Sequence, residues 1–436
     1  MPRGLLGDYS NEPTRWSKLM TNQQHPFNAE PPSFLLTENF ITTSDSFFVR
    51  NHGAVPALDG DTHKVHITTL DQREVAVSLA ELRTMGCPVT IEATLMCAEN
   101  RRNELKAIAP VKGVGWNVGA VGNATWSGIR LRDVLLQVKA DVDDPRLHVE
   151  FVGEDMCEEG GRYTVSIPMS KAGNAKGDVL LAWNMNGMAL TRDHGFPLRL
   201  IVPGYVAARS VKWLKRINIL TSQSPSHFQQ QQYKLFPQFV NWTTIDKHWN
   251  SIAPLSELSI QSAICLPADN TYIAKGSPYT IEGYAISNGR RITRVDVSLN
   301  CGHSWQCAEI ISQDDKEEKG YDNRYWSWTL WKFHIEKMPS PCSVSCRAWD
   351  EASNTQPESA RTIWNLRGLM NNAWHTLHLS PYATYVEPAL HFCGGVHSYG
   401  AQPPISPLPP QEADEVGLPL PYVPLRKSAE EVRVAS

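Results

Sequence analysis

The hydrophobic pattern changes part-way along the chain. Up to about residue 240, short strand-like segments are mixed with stretches of helical spacing. Residues 126–140 predict a helix whose apolar side is formed by Ile129, Leu131, Val134, Leu135 and Val138. From about residue 255 to 380, alternating β-branched and aromatic segments are separated by turns, which is typical of an immunoglobulin-type sandwich. We therefore predict an α+β protein, with a mixed α/β domain followed by an all-β immunoglobulin-like sandwich.

Local composition refines these boundaries. The start of the chain is rich in Pro, Asn and Gln, and its end is proline-rich with scattered charges, which is typical of a disordered tail. We predict four segments: an extended arm (1–35), the mixed domain (36–250), the sandwich (251–382) and a largely disordered tail (383–436). Trp326, Trp328 and Trp331 are expected in core and inter-sheet packing rather than on a ligand surface.

Composition excludes several classes of protein. The 436 residues are 42% hydrophobic and 20% charged with a net charge of −4, which is typical of a globular protein without a nucleic-acid partner. No apolar run approaches the roughly 18 residues of a membrane span, so no membrane association is expected. Neither a secretory nor a transit signal is recognisable, which favours an intracellular, cytoplasmic protein; peroxisome and mitochondrion stay open. Nine cysteines without a CxxC pair favour neither a disulfide framework nor a zinc ribbon.

One stretch, "TLMCAENRRNEL" (94–105), raises a chemical question. Cys97 follows a hydrophobic segment, and Arg101 and Arg102 come four and five residues later. Arginine neighbours favour a thiolate, which is the form that attacks carbon or binds a metal. A free cysteine is also a common small core residue. From this stretch alone, both interpretations stay open.

Several unusual segments decide between them by their order. They are "FFVRNHGAVP" (47–56), "CAENRR" (97–102), "VKGVGWNVGAVGNATWSG" (111–128), "RDHGFPLRLIVPGYVAARSVKWL" (192–214), "QYKLFPQFVNW" (232–242) and "WNLRGLMNNAWH" (364–375). Together, and followed by a sandwich, they closely resemble the sulfite oxidase family of molybdenum enzymes over residues 5–380. "FNAEPP", "GVGW" and "GNATWSG" look most like the haem-free, plant-type branch.

The resemblance implies a molybdenum–molybdopterin cofactor. Cys97 would be the one protein ligand to the metal, whose other sulfurs come from the pterin dithiolene. The mixed domain would therefore be a molybdopterin-binding domain. By match to the family, the residues that hold the pterin would be Asn51, His52, Asp155, His194, Arg199, Ser210 and Lys212.

The resemblance also implies a cationic pocket for a small oxyanion. Arginine forks bind such anions with paired, charge-assisted hydrogen bonds. The matching positions are Arg50, Arg102 and Arg367, with Lys112 and Trp116 beside them. Tyr233 matches a family tyrosine that orients the substrate and helps to carry a proton. Nitrate reductases of the family have asparagine there, so Tyr233 favours sulfite.

The implied function is oxidation of sulfite to sulfate by oxygen-atom transfer. We expect no haem and no flavin, because only short segments flank the motifs. Molecular oxygen is the first choice of electron acceptor and an external electron carrier the second. The sandwich of the family builds a twofold dimer, so a homodimer is expected. Two alternatives are a related molybdenum enzyme acting on another small oxyanion, as nitrate reductase does, and an inactive relative that serves as a binding or scaffold protein.

Three positions depart from the family pattern. Glu99 stands where the family usually has glycine, Ser210 where histidine is common, and Gln232 where aspartate usually precedes the tyrosine. Glu99 adds a negative charge close to the predicted anion site. It therefore bears directly on catalytic rate and on substrate identity.

Overall fold

The computed structural model describes residues 7–157, 159, 161–269, 271–274, 276–312, 324–339 and 342–382. The predicted tail, 383–436, and the first six residues of the predicted arm lie outside them. The strands of the first part are β1 (Met20–Gln23), β2 (Asn28–Glu30), β3 (Val49–Arg50), β4 (Lys64–Thr68), β5 (Glu74–Ser78), β6 (Val89–Met96), β7 (Val121–Arg130), β8 (His148–Cys157), β9 (Gly161–Pro168), β10 (Leu180–Met185), β11 (Met188–Ala189), β12 (Arg199–Ile201) and β13 (Leu214–Leu220).

These strands form three sheets. β1, β2 and β3 make a small antiparallel sheet, so the chain before residue 31 is joined by backbone pairing to the strand that carries Arg50. A second sheet has the order β11-β10-β7-β6, with β12 also paired to β10. The third has the order β5-β4-β13-β8-β9, in which β13 runs parallel to β4.

Short helices connect the strands. They are α1 (Leu79–Leu82), α2 (Arg102–Ile108), α3 (Leu131–Gln137) and α4 (Met169–Ala172). The helix expected at residues 126–140 is confirmed only for α3, Leu131–Gln137, because residues 126–130 belong to β7 and Val138 follows the helix. All five predicted apolar residues are buried. Among the residues that the structure describes, every helix is too short or too polar to pass through a lipid bilayer.

The second part is the predicted β-sandwich. Its strands are β14 (Gln261–Leu266), β15 (Tyr272–Ala274), β16 (Tyr279–Ile286), β17 (Ile292–Ser298), β18 (Gln306–Cys307), β19 (Glu309–Ser312), β20 (Thr329–Ile335), β21 (Cys342–Asp350) and β22 (His375–Tyr382). One sheet has the order β14-β16-β20-β19 and the other β15-β22-β21-β17-β18. A shared apolar core includes Ile281 and Trp331 from the first sheet and Val295 and Val344 from the second. The prediction of an α+β fold with a sandwich is confirmed.

The outer face of the first sandwich sheet is partly covered by the first part of the chain. Tyr284, Trp328 and Leu330 point away from the sandwich and belong to the core of the first part. The two parts therefore share apolar contacts instead of meeting only through a linker. Trp331 packs between the sheets as expected, whereas Trp328 packs against the first part. Trp326 joins a third cluster around Phe47 and Trp126.

Candidate active site

A tight turn sets the directions of the side chains that follow Cys97. β6 ends at Met96, the Asn100 N–H donates to the Cys97 carbonyl oxygen at 3.0 Å, and α2 begins at Arg102. Arg101 between them has φ of 62°, the left-handed conformation that residues with a side chain rarely adopt. As a result Arg101 and Arg102, neighbours in sequence, reach different parts of the molecule.

Arg101 points into the sandwich. Its guanidinium is fully buried and donates to both Glu104 carboxylate oxygens at 2.7 Å. It also donates to the carbonyl oxygens of Ser262, Ala373 and Trp374 at 3.3, 2.8 and 3.1 Å. The three hydrogen bonds to carbonyl oxygens connect the start of α2 to the second part of the chain. Arg101 therefore has a structural position.

The electrostatics at Cys97 differ from the expectation drawn from its arginine neighbours. Burial raises the pKa of the Cys97 thiol to about 12, and the Glu99 carboxylate adds to the rise. Arg50 and Arg102 oppose it without overcoming it. Of the two adjacent arginines, Arg102 thus favours the thiolate as expected, whereas Arg101 is turned towards the sandwich, and burial together with Glu99 outweighs the cations.

Cys97 lines a pocket that we call the inner pocket. Its walls come from β3, the end of β8, the turn before β12 and the segment before β13. The structure brings together in it all seven predicted pterin-binding residues: Asn51, His52, Asp155, His194, Arg199, Ser210 and Lys212. Residues separated by more than a hundred positions in the sequence thus share one pocket with the cysteine.

The inner pocket contains buried polar atoms without a partner. They are Nε of Arg50, Nδ2 of Asn51, Oδ1 of Asp155, Nε2 of His194 and Nε of Arg199. Buried polar groups in folded proteins are nearly always hydrogen-bonded, so five such atoms around one pocket indicate a polar ligand. The donors and the acceptor among these atoms can pair with the ring groups of a pterin, and an arginine can bind its phosphate. The residues present therefore fit the cofactor that the family implies.

Burial controls the charges of the inner pocket. It raises the pKa of Asp155, which Lys212 opposes, and it lowers the pKa of Lys212. It also lowers the pKa of His194 to about 3, so this imidazole is neutral near pH 7. The Lys212 ammonium donates to the Asp193 carbonyl oxygen at 2.7 Å and also to the Asn51 side chain. A buried lysine held in this way is positioned for an anionic group.

Ser210 contributes differently from the other residues of this pocket. Its hydroxyl accepts from the Val202 N–H at 3.0 Å, and its carbonyl oxygen accepts from Arg199 at 3.2 Å. The side chain is thus used to fix the backbone. Its position in the pocket wall supports the orientation of Arg199.

A second pocket, which we call the outer pocket, adjoins the inner one. Arg50 and His52 line both, so these two residues form the boundary. The outer pocket is also lined by Glu99, Arg102, Lys112, Gln232 and Arg367. Arg367 lies between the sandwich strands β21 and β22 in sequence, so the second part of the chain completes this pocket. The predicted oxyanion-site residue Trp116 lines neither pocket; it donates to Glu99 and packs in the apolar cluster that contains Cys97.

Glu99 occupies the centre of the cationic cluster. Its carboxylate lies 3.1 Å from Arg50 Nη2 and 2.9 Å from Arg102 Nη1, and it accepts from the Trp116 indole N–H at 3.1 Å. The side chain is only 2% exposed. Burial acts to raise the pKa of Glu99, but Arg102 and Arg50 outweigh burial and lower it, so the group is ionised. The carboxylate is thus a permanent internal anion.

All three guanidinium nitrogens of Arg102 contact the protein. Besides its ion pair with Glu99, its nitrogens donate to the carbonyl oxygens of Gly368, Val114 and Arg367 at 3.1, 2.9 and 3.0 Å. Gly113 and Gly368 have φ of 126° and 58°, and a side chain at either would collide with the arginine. Arg102 therefore lines the outer pocket with four of its five N–H donors already directed at the protein.

Tyr233 lines the inner pocket, and its neighbour Gln232 lines the outer pocket. Its hydroxyl lies 2.9 Å from His52 Nε2, and it follows a π-helix at Phe228–Gln232, a rare turn that is frequent at functional sites. Gln232 accepts from Arg367 Nη2 through its carbonyl and side-chain oxygens, at 2.9 and 2.6 Å. Burial raises the pKa of Tyr233, and burial together with Arg50 lowers that of His52, so both groups are neutral.

The protein alone does not provide a full set of metal ligands here. Within the described ranges, no three His, Cys, Asp or Glu side chains are grouped so that they could hold a metal ion. A metal at Cys97 would therefore need its further ligands from a cofactor, which the polar inner pocket accommodates.

Comparison with known proteins gives the family. The family described as "oxidoreductase molybdopterin binding domain" matches residues 52–228, and "Mo-co oxidoreductase dimerisation domain" matches residues 253–381. The chain is 41% identical to sulfite oxidase of Arabidopsis thaliana over 389 residues, covering 86% of this chain and 98% of that protein. The chain belongs to the sulfite oxidase family. It is also 42% identical to human mitochondrial sulfite oxidase over 387 residues, covering 87% of this chain and 68% of that protein.

A solved structure supports the fold of this sulfite oxidase family member. The sulfane dehydrogenase SoxCD from Paracoccus pantotrophus is similar with a TM-score of 0.66 and 26% sequence identity, covering 84% of this chain and 87% of that chain. The identities to the animal and plant enzymes are nearly equal, so they do not separate the two branches. The chain is an enzyme of a molybdopterin oxidoreductase family.

Sequence reasoning missed several residues that support this family's pockets. Asn28 of β2 accepts from Arg50 Nη1 and from the Asn51 N–H at 3.2 and 2.9 Å, so the predicted arm fixes both pocket residues. Tyr163 lines the inner pocket and donates to the Ala208 carbonyl oxygen at 2.8 Å. Asn28 lies within the quoted "FNAEPP", but only the three-dimensional pairing of β2 with β3 gives it a role.

Proposed function

We propose that this enzyme oxidises sulfite to sulfate with a molybdenum–molybdopterin cofactor. The observation that carries the proposal is the junction at Arg50 and His52, where a polar pocket containing Cys97 meets a cationic pocket. When bound, the molybdenum cofactor supplies the oxygen atom and takes up two electrons. The protein contributes positioning and electrostatics.

The inner pocket would hold the cofactor. Cys97 would provide the thiolate ligand, since a soft sulfur suits molybdenum in a sphere completed by dithiolene sulfurs. The atoms that need partners, on Asn51, Asp155, His194 and Arg199, would bond the pterin and its phosphate. Lys212 would add positive charge beside them. Its position supports this role, because its ammonium donates to the Asp193 carbonyl oxygen and to the Asn51 side chain.

The outer pocket would bind the oxyanion. Arg50 and Arg367 each retain a buried Nε without a partner, so they are the arginines available to sulfite. Arg102, Lys112 and Trp116 would act around them, Arg102 and Trp116 mainly by holding Glu99 in place. This arrangement would fix the sulfur of sulfite on the side that faces Cys97.

Tyr233 and His52 would handle the proton. A neutral tyrosine hydroxyl 2.9 Å from a neutral imidazole nitrogen can pass a proton along the pair. Both groups line the inner pocket, next to Cys97. The tyrosine, rather than an asparagine, supports sulfite over nitrate as substrate.

The electrons would leave to molecular oxygen, with an external carrier as the second candidate. We propose that no haem or flavin takes part, as in the plant-type branch. The match of residues 253–381 to a dimerisation domain supports a homodimer. The four segments, with boundaries at residues 35, 250 and 382, stay a proposal; the matched ranges 52–228 and 253–381 lie inside the second and third of them.

An anaerobic titration tests the proposal. Sulfite is added to purified protein of known molybdenum content while the thiolate-to-molybdenum absorption band is followed. The band is expected to bleach, and oxygen is expected to restore it with release of peroxide. Cys97→Ser serves as the control, because it should lack the band while keeping the pterin pocket.

Each other outcome has a definite meaning. Bleaching without restoration by oxygen would retain sulfite oxidation and transfer the acceptor role to a carrier. A loaded protein that ignores sulfite but, after chemical reduction, is reoxidised by nitrate would make nitrate the substrate. Protein that cannot be loaded with molybdenum would favour a binding or scaffold function.

A further inference from the structure

The outer pocket contains a carboxylate where an anion is expected to bind. Its described lining carries four cations, on Arg50, Arg102, Lys112 and Arg367, and two acids, Glu99 and the exposed Glu159. Glu99 is ion-paired with two of the four cations and buried to 2% exposure. The pocket is therefore much less positive than its arginine content suggests.

The internal anion is held too firmly to leave. Arg50 binds it through Nη2 while Nη1 donates to Asn28, and Trp116 donates to it from the opposite side. A carboxylate with three donors in a buried site is already satisfied and does not move aside for a ligand. An incoming oxyanion thus meets Glu99 as a fixed negative charge.

We propose that Glu99 is a specificity-determining residue that weakens binding of doubly charged oxyanions relative to singly charged ones. On the proposed function, on which this inference rests, the enzyme would take hydrogensulfite in preference to the sulfite dianion and release sulfate readily. The repulsion between Glu99 and a ligand scales with the ligand's charge. The unfavourable contribution of Glu99 to the binding free energy is therefore twice as large for a dianion as for a monoanion of the same shape.

Two permanently charged ligands of similar shape give the test. Sulfate and methanesulfonate are titrated by calorimetry into the molybdenum-loaded enzyme at fixed pH and constant ionic strength. For the wild-type enzyme the two Kd values are expected within about threefold of each other. In Glu99→Gln, sulfate should bind at least about tenfold tighter and methanesulfonate about threefold tighter, in line with their charges.

A second variant and a matched control accompany it. Glu99→Gly, which removes the side chain as well as the charge, replaces Glu99→Gln if that variant folds poorly. It should change both affinities in the same direction as Glu99→Gln. Asp178→Asn is the control, because Asp178, like Glu99, lies between two arginines and a tryptophan. Its carboxylate pairs with Arg130, lies 3.3 Å from Arg324 and accepts from the Trp326 indole N–H at 2.9 Å. Asp178 lines neither pocket, so its variant should leave both Kd values unchanged.

The outcomes separate this inference from the proposed function. Wild-type enzyme that binds sulfate more than about tenfold tighter than methanesulfonate would overturn it, as would Glu99 variants that gain no affinity for either ion. If those results accompany normal bleaching by sulfite, the function stands and only the inference fails. If the affinities follow ligand charge while sulfite leaves the absorption band intact, the inference stands and the substrate assignment fails.

Discussion

Replacing Arg101 tests whether this residue joins the two parts of the chain or activates Cys97. Arg101→Ala removes the two hydrogen bonds to Glu104 and those to the carbonyl oxygens of Ser262, Ala373 and Trp374. The guanidinium is fully buried, so water does not replace it. The change should lower stability and leave the chemistry at Cys97 in place.

The magnitude follows from the groups left behind. Breaking a buried ion pair costs roughly 3–5 kcal/mol, and a stranded buried carbonyl roughly 1–3 kcal/mol. These costs do not add fully, because the Glu104 side chain is 34% exposed, so that water can solvate it, and keeps a hydrogen bond from Asn371 at 3.1 Å. We expect a loss of about 4 kcal/mol. With an unfolding entropy of roughly 2 cal/mol/K per residue, a chain of this size would melt about 5 °C lower.

Thermal unfolding of the molybdenum-loaded enzyme provides the assay. Arg146→Ala is the control, since Arg146 makes the same two-pronged contact with Asp144, at 2.9 and 2.7 Å, on an exposed surface. Exposed pairs contribute little, so its melting temperature should stay unchanged. An Arg101→Ala enzyme with wild-type melting but an altered thiolate-to-molybdenum band would refute the structural role and restore the original thiolate interpretation.

Two further predictions concern turnover. Tyr233→Phe removes the hydroxyl that lies 2.9 Å from His52 and should lower kcat by about 10²-fold with molybdenum content unchanged, as measured by stopped-flow kinetics and metal analysis; loss of metal would instead show that the tyrosine is structural. Ending the chain after residue 250 removes Arg367 and the carbonyl partners of Arg101 and Arg102, so the fragment should not turn over sulfite. A folded, fully active fragment would contradict the role of the sandwich in the site.

The sequence predicted the pocket residues better than it predicted their contacts. Cys97 and the seven inner-pocket residues lie together as the motif order implied. The direction of Arg101 was not predictable, because it depends on a left-handed backbone angle of 62° at a non-glycine residue. The contacts of Arg102 were missed for a similar reason, since two of its carbonyl partners, Gly368 and Arg367, lie more than 200 residues away.

The sandwich shows a second limit of pattern reasoning. Alternation predicts which residues share one face of a strand, and it correctly indicated β20. It does not tell what covers the opposite face. Trp328 and Leu330 proved to be part of the core of the first part, whereas Trp331 lies between the sheets. Strands that are apolar on both faces need a second packing partner, which only the tertiary structure identifies.

The late position of Arg367 in the chain has a consequence for biosynthesis. The described lining of the inner pocket ends at Tyr233, whereas the outer pocket also needs Arg367. At about 5–20 residues per second, a ribosome needs roughly 7–27 s to travel from the first to the second. A nascent chain thus possesses every described wall of the inner pocket before its outer pocket exists. The residues that line the inner pocket are therefore synthesised well before Arg367, but the core that supports them is complete only after Tyr284, Trp328 and Leu330 have followed.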